Sequence, residues 1–210
     1  MKNPISILFL CIVSFTCSCN SNNPLRPRAF YKIEFPEHQY QVFERPGYPY
    51  SFEYPVYADI VQDTSFFEDK PENPYWININ FPRFNGKIYI SYKNVSQNNF
   101  AQLVDDAFKM TYKHTSKATE IKDSLMETPN GITGIFFTVG GNAATAKQFF
   151  VTDSVNHFLR GALYFDATPN ADSLSVVNQF LEQDMKHLIN TLRWHQPITS
   201  HYKYKLQTAF

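Results

Sequence analysis

The sequence has few of the features on which most predictions of function rest. It carries 19 basic and 19 acidic residues among 210, so it has no excess of positive charge for a nucleic acid or an anionic membrane surface. A nucleophile elbow, an H-E-x-x-H zinc motif, a phosphate-binding loop, a dinucleotide fingerprint and a Cys-x-x-Cys pair are all absent. We therefore expect no catalytic residues, no metal, no cofactor and no nucleic-acid partner.

The first 19 residues, MKNPISILFLCIVSFTCSC, are typical of a bacterial export signal. Lys2 provides a positive start, residues 5–13 are apolar, and small residues follow. Thr16-Cys17-Ser18-Cys19 resembles a lipobox in its looser form, with Thr16 where the strict pattern has Leu. We predict a lipoprotein signal peptide over residues 1–18 and lipid attachment at Cys19. A plain cleaved signal is the alternative.

The rest of the chain divides by its composition. Cleavage before Cys19 removes the other two cysteines, so no disulfide can form, and no second long apolar run is present. The protein is therefore expected to be anchored to a membrane by lipid and not to span it. We predict a lipidated tether over residues 19–28, a single domain over residues 29–195 and a loosely ordered C-terminal tail over residues 196–210.

The spacing of apolar residues changes along residues 29–195, from every second residue to about every 3.6 residues. Apolar residues alternate on both sides of Asn85-Gly86, which predicts a hairpin with a type I′ turn. A period of about 3.6 predicts amphipathic helices from Asn98 to about Thr115 and from Asp172 to Trp194, with strands between them. This pattern predicts an α+β fold with a largely antiparallel sheet and two amphipathic helices. The element order resembles the PsbP/Mog1-like architecture.

Two polar groups are candidates for chemistry. Asp153, His157 and Arg160 could form an acid/base set, but strand alternation places His157 and Arg160 on opposite faces. We interpret them as a histidine at the edge of the core and a structural arginine paired with a nearby carboxylate. Asp184 and His187 could share a metal; two ligands do not make a site, so we interpret them as part of a solvated polar face.

Aromatic residues on the first hairpin could form a binding surface. Tyr75 and Tyr92 are in phase with the aliphatic face, so we assign them to the core. Trp76 and Tyr89 lie on the other face. Together with Arg160 they form our candidate interaction surface.

Resemblance to a known family is carried by four stretches: RPRAFYKIEFP, PYSFEYPVYADI, YWININFPRFNGKIYISYK and QFFVTDSVNHFLRGALYFDATPNADS. Over residues 26–194 the chain resembles the gliding motility lipoproteins of the GldD family. The resemblance implies a non-enzymatic, membrane-anchored envelope lipoprotein required for gliding motility, carrying palmitate or a similar acyl group on Cys19. It also implies a role as an assembly or stabilising component of the gliding and type IX secretion machinery, with the envelope proteins of that machinery as partners.

Two other functions stay open beside this one. A ligand-binding module for glycan or peptide would use the aromatic faces, and an enzyme would need titratable groups that converge in a pocket. The resemblance also bears on location. Residues 20–23 lack the acidic pair often found in exported lipoproteins of such bacteria, so we expect the domain to face the periplasm.

Overall fold

A computed structural model describes residues 32–64, 71–96 and 99–195 of the chain. By backbone contacts the chain forms two units, residues 1–33 and 34–210, and the described strands and helices belong to the second. The predicted lipid site Cys19, the tether and the tail lie outside the described residues.

The described part of the chain contains ten strands and two α-helices. Their bounds are β1 Tyr40–Phe43, β2 Tyr50–Pro55, β3 Asp59–Gln62, β4 Ile77–Phe81, β5 Gly86–Asn94, α1 Phe100–Tyr112, β6 Ala118–Glu127, β7 Thr133–Gly141, β8 Lys147–Thr152, β9 His157–Phe165, α2 Ala171–Thr191 and β10 Arg193–Trp194. The predicted α+β class with two amphipathic helices and an antiparallel sheet is confirmed.

The strands form two sheets. Seven of them pair in the order β3-β4-β5-β9-β8-β7-β6, and the other three pair in the order β1-β2-β10. Every pairing is antiparallel. Since side chains alternate between the faces of a strand, each strand of the large sheet offers one row of side chains to each of its two faces.

The large sheet is covered on both faces. On one face Ile90 and Leu159 are buried against Leu181 of α2, together with Tyr50 and Phe52 of the small sheet. On the other face α1 covers the aromatic side chains of β7, β8 and β9 in a smaller apolar cluster. The members of that cluster are Leu103, Ala107, Phe137, Phe150 and Phe158. No helix among the described residues is long and apolar enough to cross a membrane.

The first hairpin forms, but its turn differs from the prediction. Phe81 pairs with Gly86, so the connection comprises residues 82–85 and Gly86 already belongs to β5. Pro82 begins a 3-10 turn directly after the last ladder residue, and Asn85 ends the turn with a φ of 47°. Because proline has no amide hydrogen to give to the ladder, it suits the first position beyond β4. The predicted type I′ turn at Asn85-Gly86 is therefore wrong.

The closing helix ends earlier than its apolar period suggested. Helix α2 stops at Thr191, and Leu192 adopts an extended conformation with ψ of 136°. Arg193 and Trp194 then pair with Ser51 and Tyr50 as a short strand. The side-chain amide of Asn130 donates to the carbonyl oxygen of Leu192 over 3.0 Å. These partners come from distant parts of the chain, so the continuing apolar spacing could not show where the helix ends.

Candidate functional site

A recess of about 860 Å³ lies at one end of the small sheet. The loop between β1 and β2 supplies Arg45 and Tyr48, and Tyr75 stands before β4. His157 at the start of β9 and His195 after β10 also line it. Aromatic rings beside a few polar groups are typical of small-molecule and peptide sites.

His157 is held in one orientation by its neighbours. Its side chain is 4% exposed, and its ring stacks on Trp194 with 4.9 Å between centroids. Its Nδ1 lies 2.7 Å from the Tyr92 hydroxyl. Burial lowers the pKa of His157, and the nearby Asp153 carboxylate only partly opposes this. The imidazole is therefore neutral at neutral pH.

Asp153 serves the turn that precedes His157. Its Oδ1 accepts from the backbone N–H groups of Val155, Asn156 and His157 over 2.8 to 3.0 Å. Burial raises the pKa of Asp153, but these three N–H groups outweigh burial and leave that pKa lowered. Its other oxygen is 4.0 Å from His157 Nε2, which is beyond hydrogen-bond distance. This carboxylate therefore shapes a turn and does not form a catalytic pair.

Tyr92 is equally unsuited to proton transfer. Its side chain is 1% exposed, and burial raises the pKa of its phenol to about 12. Its hydroxyl bonds to Asn94 Oδ1 over 3.0 Å as well as to His157. The arrangement can orient a ligand through His157, but it presents no activated nucleophile.

Arg160 lies on the other face of β9, as strand alternation predicted. In the β5 to β9 ladder it is opposite Ser91, whereas His157 faces the cavity. The structure therefore brings Asp153 and His157 together and separates both from Arg160. The predicted carboxylate partner of Arg160 is wrong, because its guanidinium donates to the side-chain oxygen of Gln148.

The structure also separates the three residues of the candidate interaction surface. Trp76 is 8% exposed, packs in the main core and donates its indole N–H to the carbonyl oxygen of Tyr92 over 2.8 Å. Tyr89 is half-buried beside Tyr164, with 5.6 Å between ring centroids in an edge-to-face arrangement. Tyr89 and Arg160 thus share the face opposite the main core, whereas Trp76 belongs to the core itself.

A second polar cluster is centred on Asp184 of α2. Its carboxylate is 1% exposed, so the predicted solvated polar face is wrong for this residue. Oδ1 lies 2.7 Å from His38 Nδ1 and accepts from the Tyr40 hydroxyl over 3.0 Å. Oδ2 accepts from the Tyr57 hydroxyl over 2.5 Å. Three donors from the N-terminal part of the domain therefore meet one buried carboxylate.

His187 belongs to the same region but has another carboxylate partner. Its Nε2 lies 2.7 Å from Glu53 Oε2, and its ring stacks on Tyr40 with 3.5 Å between centroids. Asp184 and His187 therefore do not converge on one ion. Among the described residues no three His, Cys, Asp or Glu side chains gather as metal ligands would.

Sequence reasoning missed His38, Tyr40 and Tyr57 as partners of Asp184. They lie 127 to 146 residues away from it in the chain. One available signal was the position of Asp184 itself, one residue before Met185 in the apolar stripe of a long helix. A carboxylate next to such a stripe needs donors from whatever packs there.

Comparisons with known proteins found a matching family model and several solved structures of similar fold. The sequence model described as "Gliding motility lipoprotein GldD" matches residues 20–194. No curated protein matches the sequence. The solution structure of cyanobacterial PsbP (CyanoP) from Synechocystis sp. PCC 6803 is 10% identical, with 82% of this chain and 99% of that chain covered and a TM-score of 0.41. A TM-score of 0.41 is too low to support an inference about this chain. The α+β class therefore rests on the strands and helices of the chain itself.

The Asp184 cluster predicts a loss of stability in Tyr57→Phe. The change removes the donor to Asp184 Oδ2 and leaves a buried carboxylate oxygen without a partner, so we expect unfolding to become easier by about 1–3 kcal/mol. Urea denaturation at neutral pH measures this difference. Tyr54→Phe is the matched control, because no described residue bonds to the Tyr54 hydroxyl. Equal losses in the two variants would contradict the assignment.

Alkaline pH provides a separate test of the same cluster. Burial, followed by the hydrogen bond to Asp184, raises the pKa of Tyr57 far above its ordinary value of 10.0. Above pH 10 the unfolded chain releases a proton that the folded chain keeps, so the free energy of unfolding falls as pH rises. The slope is about 1.4 kcal/mol per pH unit for one such group. Denaturation between pH 8 and 11 should show a shallower fall in Tyr57→Phe than in the wild type, and identical slopes would refute the shift.

Proposed function

The chain belongs to the gliding motility lipoprotein GldD family, and from this membership we propose that it is an assembly or stabilising component of the gliding and type IX secretion machinery. Family membership itself establishes involvement in gliding motility and a membrane-anchored place in the cell envelope. The finer role is a proposal. It is carried by the family match over residues 20–194, which includes nearly the whole described domain.

The proposed action is through protein contacts and not through catalysis. The titratable groups that the fold brings together bond to one another or to the backbone: Asp153 to three N–H groups, and Asp184 to three side chains. Tyr92, whose hydroxyl bonds to His157, is buried and neutral. An enzyme needs at least one activated group that faces its substrate, and neither cluster provides one. We therefore propose a structural component, held at the membrane by palmitate or a similar acyl group on Cys19.

A second candidate function is favoured by the cavity beside His157. The imidazole Nε2 of His195, which lines this cavity, is buried and has no hydrogen-bond partner among the described residues. Buried polar atoms normally have partners, so a ligand with an exposed polar group could supply the missing one. The proposed site of a glycan-binding or peptide-binding module therefore moves from Trp76 and Tyr89 to the cavity lined by Tyr48, Tyr75 and His157.

We propose that the domain faces the periplasm, on the ground that residues 20–23 carry no acidic pair. Protease added to intact cells should leave the full-length protein unchanged, and protease added after the outer membrane is opened should remove the domain. A surface-exposed lipoprotein of the same cells serves as the positive control. Loss of the domain from intact cells would place it on the cell exterior instead.

The assembly role is tested by crosslinking and affinity purification of the tagged native lipoprotein from cell envelopes. Cys19→Ala keeps the domain and removes the predicted acylation site, so it is the matched control. We expect motility and secretion proteins to be recovered with the wild type and to be reduced at least tenfold with Cys19→Ala. If the wild type recovers none of them, the assembly role is refuted, and a glycan screen of the same protein would then test the cavity.

A further inference from the structure

Strand β6 is one of the two outer strands of the large sheet, and its outer edge is open. Among the described residues it pairs with β7 alone, and β3 forms the opposite edge of the same sheet. Seven of its ten residues are exposed. Leu125 is 85% exposed, more than any other large apolar side chain in the described part of the chain. An outer strand of this kind offers unpaired backbone N–H and C=O groups to solvent.

The pairing with β7 shows which backbone groups of β6 face outward. Residues 121–127 pair with residues 139–133 in one unbroken register, and the N–H of Thr128 continues that register by donating to Ile132 over 2.9 Å. Because an antiparallel ladder hydrogen-bonds at every second residue, the even-numbered residues of β6 bond to β7. The N–H and C=O groups of the odd-numbered residues in 121–127 therefore point away from β7, toward the open edge.

The side chains along this edge determine which strand could pair there. Asp123, Leu125 and Glu127 alternate along one face of β6, the face on which α1 packs. Neither carboxylate has an ion-pair partner among the described residues, whereas Lys122 on the other face pairs with Glu120 over 3.1 Å. The edge therefore presents an exposed apolar side chain between two uncompensated negative charges.

A second copy of the chain fits this edge poorly because of those charges. When residues 121–127 pair with themselves in antiparallel register, Asp123 lies diagonally beside both Asp123 and Glu127 of the other copy. A shift of two residues in either direction places Asp123 directly opposite one of these carboxylates. Like charges across two strands are destabilising. The charges that reject a second copy favour a strand of opposite charge.

We propose that the outer edge of β6 binds an extended, basic segment of a partner protein, which adds a strand to the large sheet. The outward N–H and C=O groups of residues 121–127 hydrogen-bond to the backbone of that segment. Two of its lysine or arginine side chains pair with Asp123 and Glu127, and an apolar side chain between them covers Leu125. The segment therefore carries basic, apolar and basic residues at alternate positions. The inference rests on the proposed assembly function and names the chemistry of the contact.

Direct binding is the first test, made with the full-length lipoprotein in non-ionic detergent micelles. The probes are two fluorescein-labelled heptapeptides, followed by fluorescence anisotropy. In one, lysine, valine and lysine alternate with threonine; in the other, glutamate replaces both lysines. The wild type should bind the lysine peptide at least tenfold more tightly than the glutamate peptide.

A pair of charge variants locates the contact. Asp123→Lys should weaken binding of the lysine peptide at least tenfold. Asp59→Lys makes the same change of charge at the exposed first residue of β3, on the opposite edge of the sheet, and should leave binding unchanged. Failure of the wild type to bind, equal binding of the two peptides, or equal effects of the two variants would overturn the proposal.

Variants at Leu125 test whether the backbone of β6 takes part. Leu125→Ala and Leu125→Pro both remove the apolar side chain, but only proline also removes the outward N–H. Leu125→Pro should therefore bind the lysine peptide at least fivefold more weakly than Leu125→Ala. Both should unfold at closely similar temperatures, because an outer strand accepts proline where the N–H faces solvent. Equal binding would overturn the proposal. A clearly lower unfolding midpoint of Leu125→Pro would do the same, since this N–H would then belong to the fold.

Sedimentation of the same micelles shows whether a second copy occupies the edge. We expect the wild type to sediment as a monomer, because self-pairing gathers like charges. A wild-type dimer that dissociates in Leu125→Pro would show that a second copy pairs with β6, and the proposal would be wrong.

Purification from envelopes then distinguishes the β6 edge from the assembly function. If the wild type recovers motility proteins and Asp123→Lys recovers at least tenfold less, the basic contact is supported. If both recover the same amount, the β6 contact is refuted while the assembly function stands. If the wild type recovers none, the assembly function has failed, and the peptide measurements alone decide whether β6 binds a basic strand.

Discussion

The carboxylate of Asp184 needs hydrogen-bond donors because it is 1% exposed inside the layer between α2 and the small sheet. An unpaired carboxylate there would cost far more than any single apolar contact contributes. His38, Tyr40 and Tyr57 supply the donors, and each comes from the segment that runs through β1 and β2. The need to bring these three donors to the Asp184 carboxylate therefore determines where the N-terminal part of the domain lies on the closing helix.

The two faces of the large sheet are packed by different helices and form separate apolar clusters. The face against α2 holds the main apolar core together with Tyr50, Phe52 and Trp76, and the indole N–H of Trp76 bonds within the fold. On the opposite face α1 packs on the aromatic side chains of β7, β8 and β9, and Arg160 lies on this same face, where it bonds to Gln148.

Most of the fold could be predicted from local patterns, and most of the errors concerned contacts between distant residues. The alternation around Asn85 predicted the hairpin, yet Pro82 moved the turn, because a residue without an amide hydrogen ends the ladder. Strand phase correctly separated His157 from Arg160 but could not name Gln148 as the partner of Arg160. The helical stripe located α2 and extended it too far, since Arg193 and Trp194 pair with β2 instead.

The sequence by itself determined the order and type of most strands and helices and the alternation of side chains along each strand, and it predicts an export signal with a lipid site at Cys19. All of these depend on residues within one element or one short motif, where periodicity and covalent chemistry act locally. Only the tertiary structure decided that Asp184 is buried, that Trp76 belongs to the core, and that Arg160 bonds to a neutral amide. Those outcomes depend on which distant segments pack together. No local pattern carries that information, because the donors to Asp184 lie more than a hundred residues away in the chain.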